Sequence, residues 1–247
     1  MDRLIYTAMT GARHAFLQQA AVASNLANVS TTAYRAAEHR FRAVPIQGDG
    51  LPTRAFVVDA SVADNFDQGP MMTTGRALDV AVRGPGWIAV ETSDGTEAYT
   101  RAGNLQIDAN GLLRTANGLN VLGDGGPIAL PPDNNIAIGP DGTVSAIPLF
   151  GIPNNVNLIG RIKLVNPPVD DLTRGNDGLF RTKSGTPLVR DEEVKLSPET
   201  LEGSNVNVVE SMVNLISLAR QFEMHVKMLQ TADANANRAS QVITINN

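Results

Sequence analysis

The sequence predicts an α+β protein. Long N- and C-terminal helices pair as a coiled-coil stem, and a central antiparallel β-rich domain of hairpins lies between them. Three observations carry this. Near the N-terminus, Ile5, Ala8, Ala12, Ala15, Gln19, Val22, Leu26 and Val29 recur at alternating steps of three and four. Near the C-terminus, Val208, Met212, Leu215, Ala219, Phe222, Val226 and Leu229 do the same. Such a period lays one stripe of side chains along a helix, and the stripe needs a partner helix. Between the ends the period vanishes and Asp-Gly or Asn-Gly pairs take over, at Asp94-Gly95, Asn110-Gly111, Asn117-Gly118 and Asp141-Gly142. These pairs supply the positive φ that hairpin turns need.

The elements follow in order. Residues 1–33 are the N-terminal half of the stem, with a helix expected over 3–32. Its seven alanines from Ala8 to Ala27 favour helix and let a partner approach closely. It fades at Ser30-Thr31-Thr32, where short hydroxyl side chains compete for the backbone. Residues 34–77 read as a linker with a few short strands, one of them near 55–59. Residues 78–198 are the β domain, with further strands near 160–165 and 178–181 around an Asp177-Gly178 turn. Residues 199–247 hold the second stem helix, from 207 or 208 to about 240. Asn207 caps it, and Glu210 three residues later completes a pair resembling a capping box. Past Leu229 the stripe weakens to Asp233, Ala236 and Ser240. Gln19 and Asp233 are its polar breaks, the first places to look for contacts to a neighbouring molecule.

Composition narrows the function. Hydrophobic residues make up 43% of the chain but aromatics only 4%, so the core is expected to be Ala, Val, Ile and Leu. The net charge of −5 leaves no basic footprint for nucleic acid. Residues 1–42 hold five arginines against Asp2 and Glu38, a net of +3, so the remainder carries −8. That asymmetry suits head-to-tail charge complementarity, or an ordinary solvated surface. With no cysteine, disulfides, thiolate metal sites and a Cys nucleophile are excluded. No apolar run reaches the roughly 18 residues of a membrane span. Gly11, Arg13, His14, Gln18 and Gln19 interrupt any signal-peptide core, so export is expected without a cleaved signal.

Catalytic motifs are lacking. Gly84-Pro85-Gly86 misses the third glycine of a dinucleotide loop, and its proline removes an N–H. Asp108-Ala109-Asn110-Gly111 fits a hairpin turn, not a calcium loop. His14, His39 and His225 have no second histidine at ligand spacing. No Gly-x-Ser-x-Gly occurs, and Asp170-Asp171 and Glu192-Glu193 are charged-loop pairs. No catalytic residue, metal, cofactor or small-molecule substrate is expected. Met212 suits packing against the first helix, whereas Met224 and Met228 lie off the stripe and suggest a second contact face.

At Asn25-Leu26-Ala27-Asn28-Val29-Ser30-Thr31 the chain resembles the signature of the bacterial flagellar rod and hook proteins, Asn-x-Ala-Asn-x-x-Thr-x-Gly-Phe/Tyr-Lys/Arg. Asn25, Ala27, Asn28, Thr31, Tyr34 and Arg35 match it, and Ala33 stands where the family has glycine. Leu78-Asp79-Val80-Ala81-Val82 with Gly84-x-Gly86-Trp87 resembles the start of the family's β domain, with Trp for Phe. Tyr99-Thr100-Arg101-Ala102-Gly103 resembles its Tyr-Thr-Arg-x-Gly hairpin. Leu201, Glu202, Ser204, Asn205, Val206 and Asn207 match its approach to the C-terminal helix. The opening nine residues, Arg42-Ala43-Val44-Pro45 and Ala219-Arg220-Gln221-Phe222-Glu223-Met224 are most similar to the proximal-rod branch.

The resemblance implies a non-enzymatic structural subunit of the basal-body rod, the drive shaft for motility. It implies passage through the flagellar export apparatus, residence in the periplasm, and polymerisation with copies of itself and other rod subunits. A distal-rod or hook-type axial protein, or a secreted β-domain adhesin, are the alternatives. Isolated helices are marginal in water, so the termini are expected to be weakly ordered until assembly. Ile5, Ala8, Ala12, Ala15, Gln19, Val22 and Leu26, with the seven C-terminal stripe residues, are the expected assembly interface.

Overall fold

The computed structural model describes residues 2–45, 55–132, 134–148 and 156–245. In chain order the elements are α1 (Asp2–Ala27), β1 (Ala37–Pro45), β2 (Ala55–Asp64), β3 (Met71–Thr73), β4 (Val80–Arg83), β5 (Trp87–Glu91) and β6 (Glu97–Thr100). Then come β7 (Leu105–Ile107), β8 (Leu113–Thr115), β9 (Asn120–Gly123), β10 (Gly126–Pro127), β11 (Asn134–Ile138) and β12 (Thr143–Pro148). The last are β13 (Asn157–Arg161), β14 (Leu164–Val165), β15 (Leu172–Arg174), β16 (Phe180–Thr182), β17 (Lys195–Pro198), β18 (Thr200–Glu202) and α2 (Val208–Ile245). They form two compact units. One holds residues 1–29, 36–65 and 206–247, and the other holds 30–35 and 66–205.

The first unit contains the helices. α1 stops at Ala27, before the hydroxyl cluster. The amide of Asn28 is shared between the carbonyls of Ser24 and Asn25, and that of Val29 reaches Leu26, so the last turn tightens and ends. α2 starts where expected. The Asn207 carboxamide oxygen accepts from the amides of Val209 at 3.1 Å and Glu210 at 3.2 Å. The helix runs past residue 240 to Ile245. Residues 34–77, expected as a linker with short strands, include β1 and β2, an antiparallel pair of 9 and 10 residues with an irregularity between Arg40 and Phe41. Contacts group this pair with the helices.

The second unit is antiparallel β. Its main sheet runs β15-β16-β6-β5-β9-β8-β7, with β10 on β9 and β14 on β5. Beside it are the sheet β11-β12-β13 and the pairs β17-β4 and β18-β3. The five Asp-Gly or Asn-Gly pairs named above lie between antiparallel partners, with glycine φ between 73° and 83°. The loops are residues 92–96, 108–112, 116–119, 139–142 and 175–179, longer than the expected two-residue turns. In each, the glycine amide bonds the carbonyl three residues back. In three of them an aspartate folds back on the loop, as where the Asp108 carboxylate accepts from the amides of Asn110 and Leu112. The main core is Val, Ile, Leu and Ala, as the composition implies. A smaller cluster gathers Trp87, Tyr99, Val165, Leu172 and Phe180, with the Trp87 and Phe180 rings 4.6 Å apart.

Candidate assembly interface

Within the first unit α1 packs on α2. Ala8, Ala12 and Ala15 are buried, and Ile5, Gln19, Val22 and Leu26 are half-buried. The Phe16 and Phe222 rings lie 6.4 Å apart. Gly11 faces His225 so closely that a Cβ there would lie 2.5 Å from the imidazole Cε1. Thr7, Thr10, His14, Phe41, Gln221 and His225 line a recess of about 340 Å³, with the His14 ring edge-on to Phe41. His14 and His225 thus share one recess. Among the described residues no group of three His, Asp or Glu is placed to hold a metal.

The shielded line on α2 is Ser211, Leu215, Leu218, Phe222, His225, Leu229 and Ala232, flanked by Ala219 and Val226. It coincides with the expected stripe at Leu215, Phe222 and Leu229. Val208 and Met212 lie off it and are exposed. The sequence missed this line because Ser211 and His225 are polar. Asp233 is exposed, and Ala232 holds the shielded place beside it.

α2 also carries a second apolar face. Val209, Val213, Ile216 and Met224 are 54–71% exposed. At about 100° per residue they fall within one arc, roughly opposite the shielded line. Met212 and Met228 flank it, both exposed. On α1, Tyr6, Met9 and Phe16 are exposed.

Asn25 and Asn28 close the end of α1. Asn25 is buried, and its carboxamide donates to the Ala37 carbonyl at 2.9 Å and accepts from the Ala37 amide at 3.0 Å, joining α1 to β1. The Asn28 carboxamide donates to the Ser24 carbonyl. Ala27 and Thr31 are exposed.

In the second unit the remaining motif residues converge. Glu202 is fully buried, and its carboxylate accepts from Arg35 at 2.7 Å, from Arg101 at 2.8 Å and from the Gly69 amide at 3.1 Å. Arg101 also donates to the carbonyls of Val82, Gly84 and Gly86, and Arg35 to that of Asp67. Two buried guanidiniums against one carboxylate leave a surplus positive charge, which these carbonyl dipoles solvate. Burial lowers the Arg101 pKa; Glu202 opposes that shift and Arg35 adds to it. The neighbours are fitted to the cluster. Gly103 must be glycine, since a Cβ there would lie 1.7 Å from the Val80 carbonyl oxygen. The Arg174 guanidinium lies 4.8 Å from the Tyr34 ring centre. Ser204 is buried, Leu201 and Asn205 are half-buried, and the Asn205 carboxamide donates to the Asp67 carbonyl. Val206 is half-buried in the first unit. Each segment's residues were visible in the sequence, but nothing in the sequence marked Arg35, Arg101 and Glu202 as neighbours.

In comparison with known proteins, each member of the cluster falls within the span of a different family model. A family model described as "Flagella basal body rod protein" matches residues 5–35. The "Flagellar hook protein FlgE/F/G D1 domain" matches 81–146, and "Flagellar basal body rod FlgEFG protein C-terminal" matches 197–242. Across 99% of its length the chain is 43% identical to the flagellar basal-body rod protein FlgF of Escherichia coli (strain K12), whose whole length is covered. It is 42% identical to FlgF of Salmonella typhimurium over the same share. To FlgG of Agrobacterium fabrum it is 33% identical over 89% of this chain and 91% of that one.

Proposed function

The chain belongs to the flagellar basal-body rod protein family, and we propose that it serves as a structural subunit of the proximal rod, joined to its neighbours through its terminal helices. Higher identity to FlgF than to FlgG favours the proximal over the distal position. The family is structural rather than enzymatic. In the same reading, the subunit passes the flagellar export apparatus without a cleaved signal and resides in the periplasm. Its partners there are copies of itself and other rod proteins, FlgG-type subunits among them.

The observation that carries the reading is the pair of opposed apolar faces on α2. The inner face meets α1, and its alternating steps of four and three, against the small Ala8, Ala12 and Ala15, suit coiled-coil packing. The outer face is left for a neighbour. Burying the exposed remainder of Val209, Val213, Ile216 and Met224 contributes about 1 kcal/mol each. That roughly 4 kcal/mol per contact is modest alone, and a lattice multiplies it.

The test is Val213→Asp. The variant should fold with an unchanged far-ultraviolet spectrum, fail to enter basal bodies, and leave cells non-motile. Normal incorporation and swimming would refute the role of this face.

A further inference from the structure

We propose that residues 30–35 form a latch that closes the β unit, so that the unit reaches full stability only when segments from both ends of the chain are seated. These residues belong to no strand, yet four places in the unit hold them. The Ala33 amide donates to the Glu202 carbonyl at 2.8 Å, and the Asn205 amide donates to the Tyr34 carbonyl at 3.2 Å. Arg174 donates to the Arg35 carbonyl at 2.9 Å. Arg35 itself is 2% exposed, between Glu202 and the Asp67 carbonyl.

The three charges differ in what each needs from the others. Arg101 sits after β6 and is solvated by carbonyls at 82, 84 and 86, in β4 and the turn that follows it. Glu202 enters from the far side of the sequence, 101 residues later. With Arg35 withdrawn it would keep Arg101 and the Gly69 amide, but one oxygen would lose its charged partner in a site without solvent. Arg101 would still balance the Glu202 charge, so the cost is that of buried charge-assisted hydrogen bonds lost, which exceeds that of an exposed pair. The closing surfaces are tight as well. A Cβ on Gly69 would lie 2.1 Å from the Gly203 carbonyl oxygen, so the 66–70 loop and the residues after β18 meet backbone to backbone.

The latch therefore makes closure of the β unit depend on contacts 167 residues apart in sequence, Arg35 to Glu202. If, in the export reading, the chain passes with its N-terminus leading, closure waits until residue 202 has emerged. This consequence rests on that reading, but the latch does not.

Native-state hydrogen exchange on the full-length protein tests the latch. In the unaltered chain the amides of Ala33 and Asn205 should share the protection of β4 and β5 core amides and open with them as one unit. In Arg35→Met the whole set should exchange roughly 10- to 100-fold faster. A control variant, Arg161→Met, breaks a half-exposed pair with Asp141 and should change exchange less than 10-fold. The proposal is overturned if Ala33 and Asn205 exchange as a free loop in the unaltered chain. It is equally overturned if Arg35→Met leaves β4 and β5 protection unchanged. Because exchange is read on free protein, failure of the rod assignment would not alter either result.

Discussion

Gly11→Ala gives opposite signs for paired and unpaired helices. In an isolated helix, alanine is favoured over glycine by about 1 kcal/mol. Here the new Cβ would lie 2.5 Å from Cε1 of His225 and 2.9 Å from both ring nitrogens. Real carbon contacts need more than 3 Å, so the imidazole or the whole of α2 must shift. Overpacking of this kind costs about 1–3 kcal/mol, so the net expectation is a loss of about 1 kcal/mol. That corresponds to melting roughly 2–4 °C lower when unfolding is followed by ellipticity at 222 nm. In a His225→Ala background the obstacle is gone, and the same substitution should raise the melting temperature instead. If Gly11→Ala stabilises equally in both backgrounds, the packing of α1 on α2 described above is refuted.

Two further outcomes follow from the β unit. Ala33 has φ of 58°, a left-handed conformation that costs an L-residue about 1–2 kcal/mol. Ala33→Gly relieves this and gives back about 0.4–1 kcal/mol through the unfolded chain, so urea unfolding followed by Trp87 fluorescence should show a small net stabilisation. A lower midpoint would mean the latch does not hold that conformation. Tyr99 is pushed up to about 12, mainly by burial, with the Glu97 charge adding and the Leu188 amide opposing. The folded state thus favours the protonated phenol. That contribution is whole below pH 10 and is lost as pH rises towards 12. Absorbance at 295 nm should show a tyrosine titrating near pH 12 that Tyr99→Phe removes.

Much of this architecture was legible in the chain. Heptad stripes locate both helices because 3.5-residue spacing has few other uses, and Asn207 marks the start of α2 to the residue. The five Asp-Gly or Asn-Gly pairs singled out in the sequence each proved to lie in a hairpin loop with the glycine at positive φ, whatever the loop length. The pairing of β1 with β2 was not legible: Asp49-Gly50 stands between the two strands in the sequence, but β1 carries Glu38, His39, Arg40 and Arg42 and lacks the clean apolar alternation that marks a strand. The inner line of α2 was rotated by its polar members, Ser211 and His225, which hydrophobic periodicity discards. The Arg35–Glu202–Arg101 cluster was hidden for a different reason. Local patterns report local geometry, and these three residues meet only through the tertiary fold.

The central claim is that the outer face of α2 is exposed in the free subunit and covered in the rod. The sequence has no cysteine, so a single Met224→Cys variant reports on one site alone. Its alkylation rate should be compared in purified free protein and in isolated basal bodies. Fast modification of the free protein and at least ten-fold protection in the assembled rod is the predicted result. Equal rates in both, with the variant present in the rod, would contradict it.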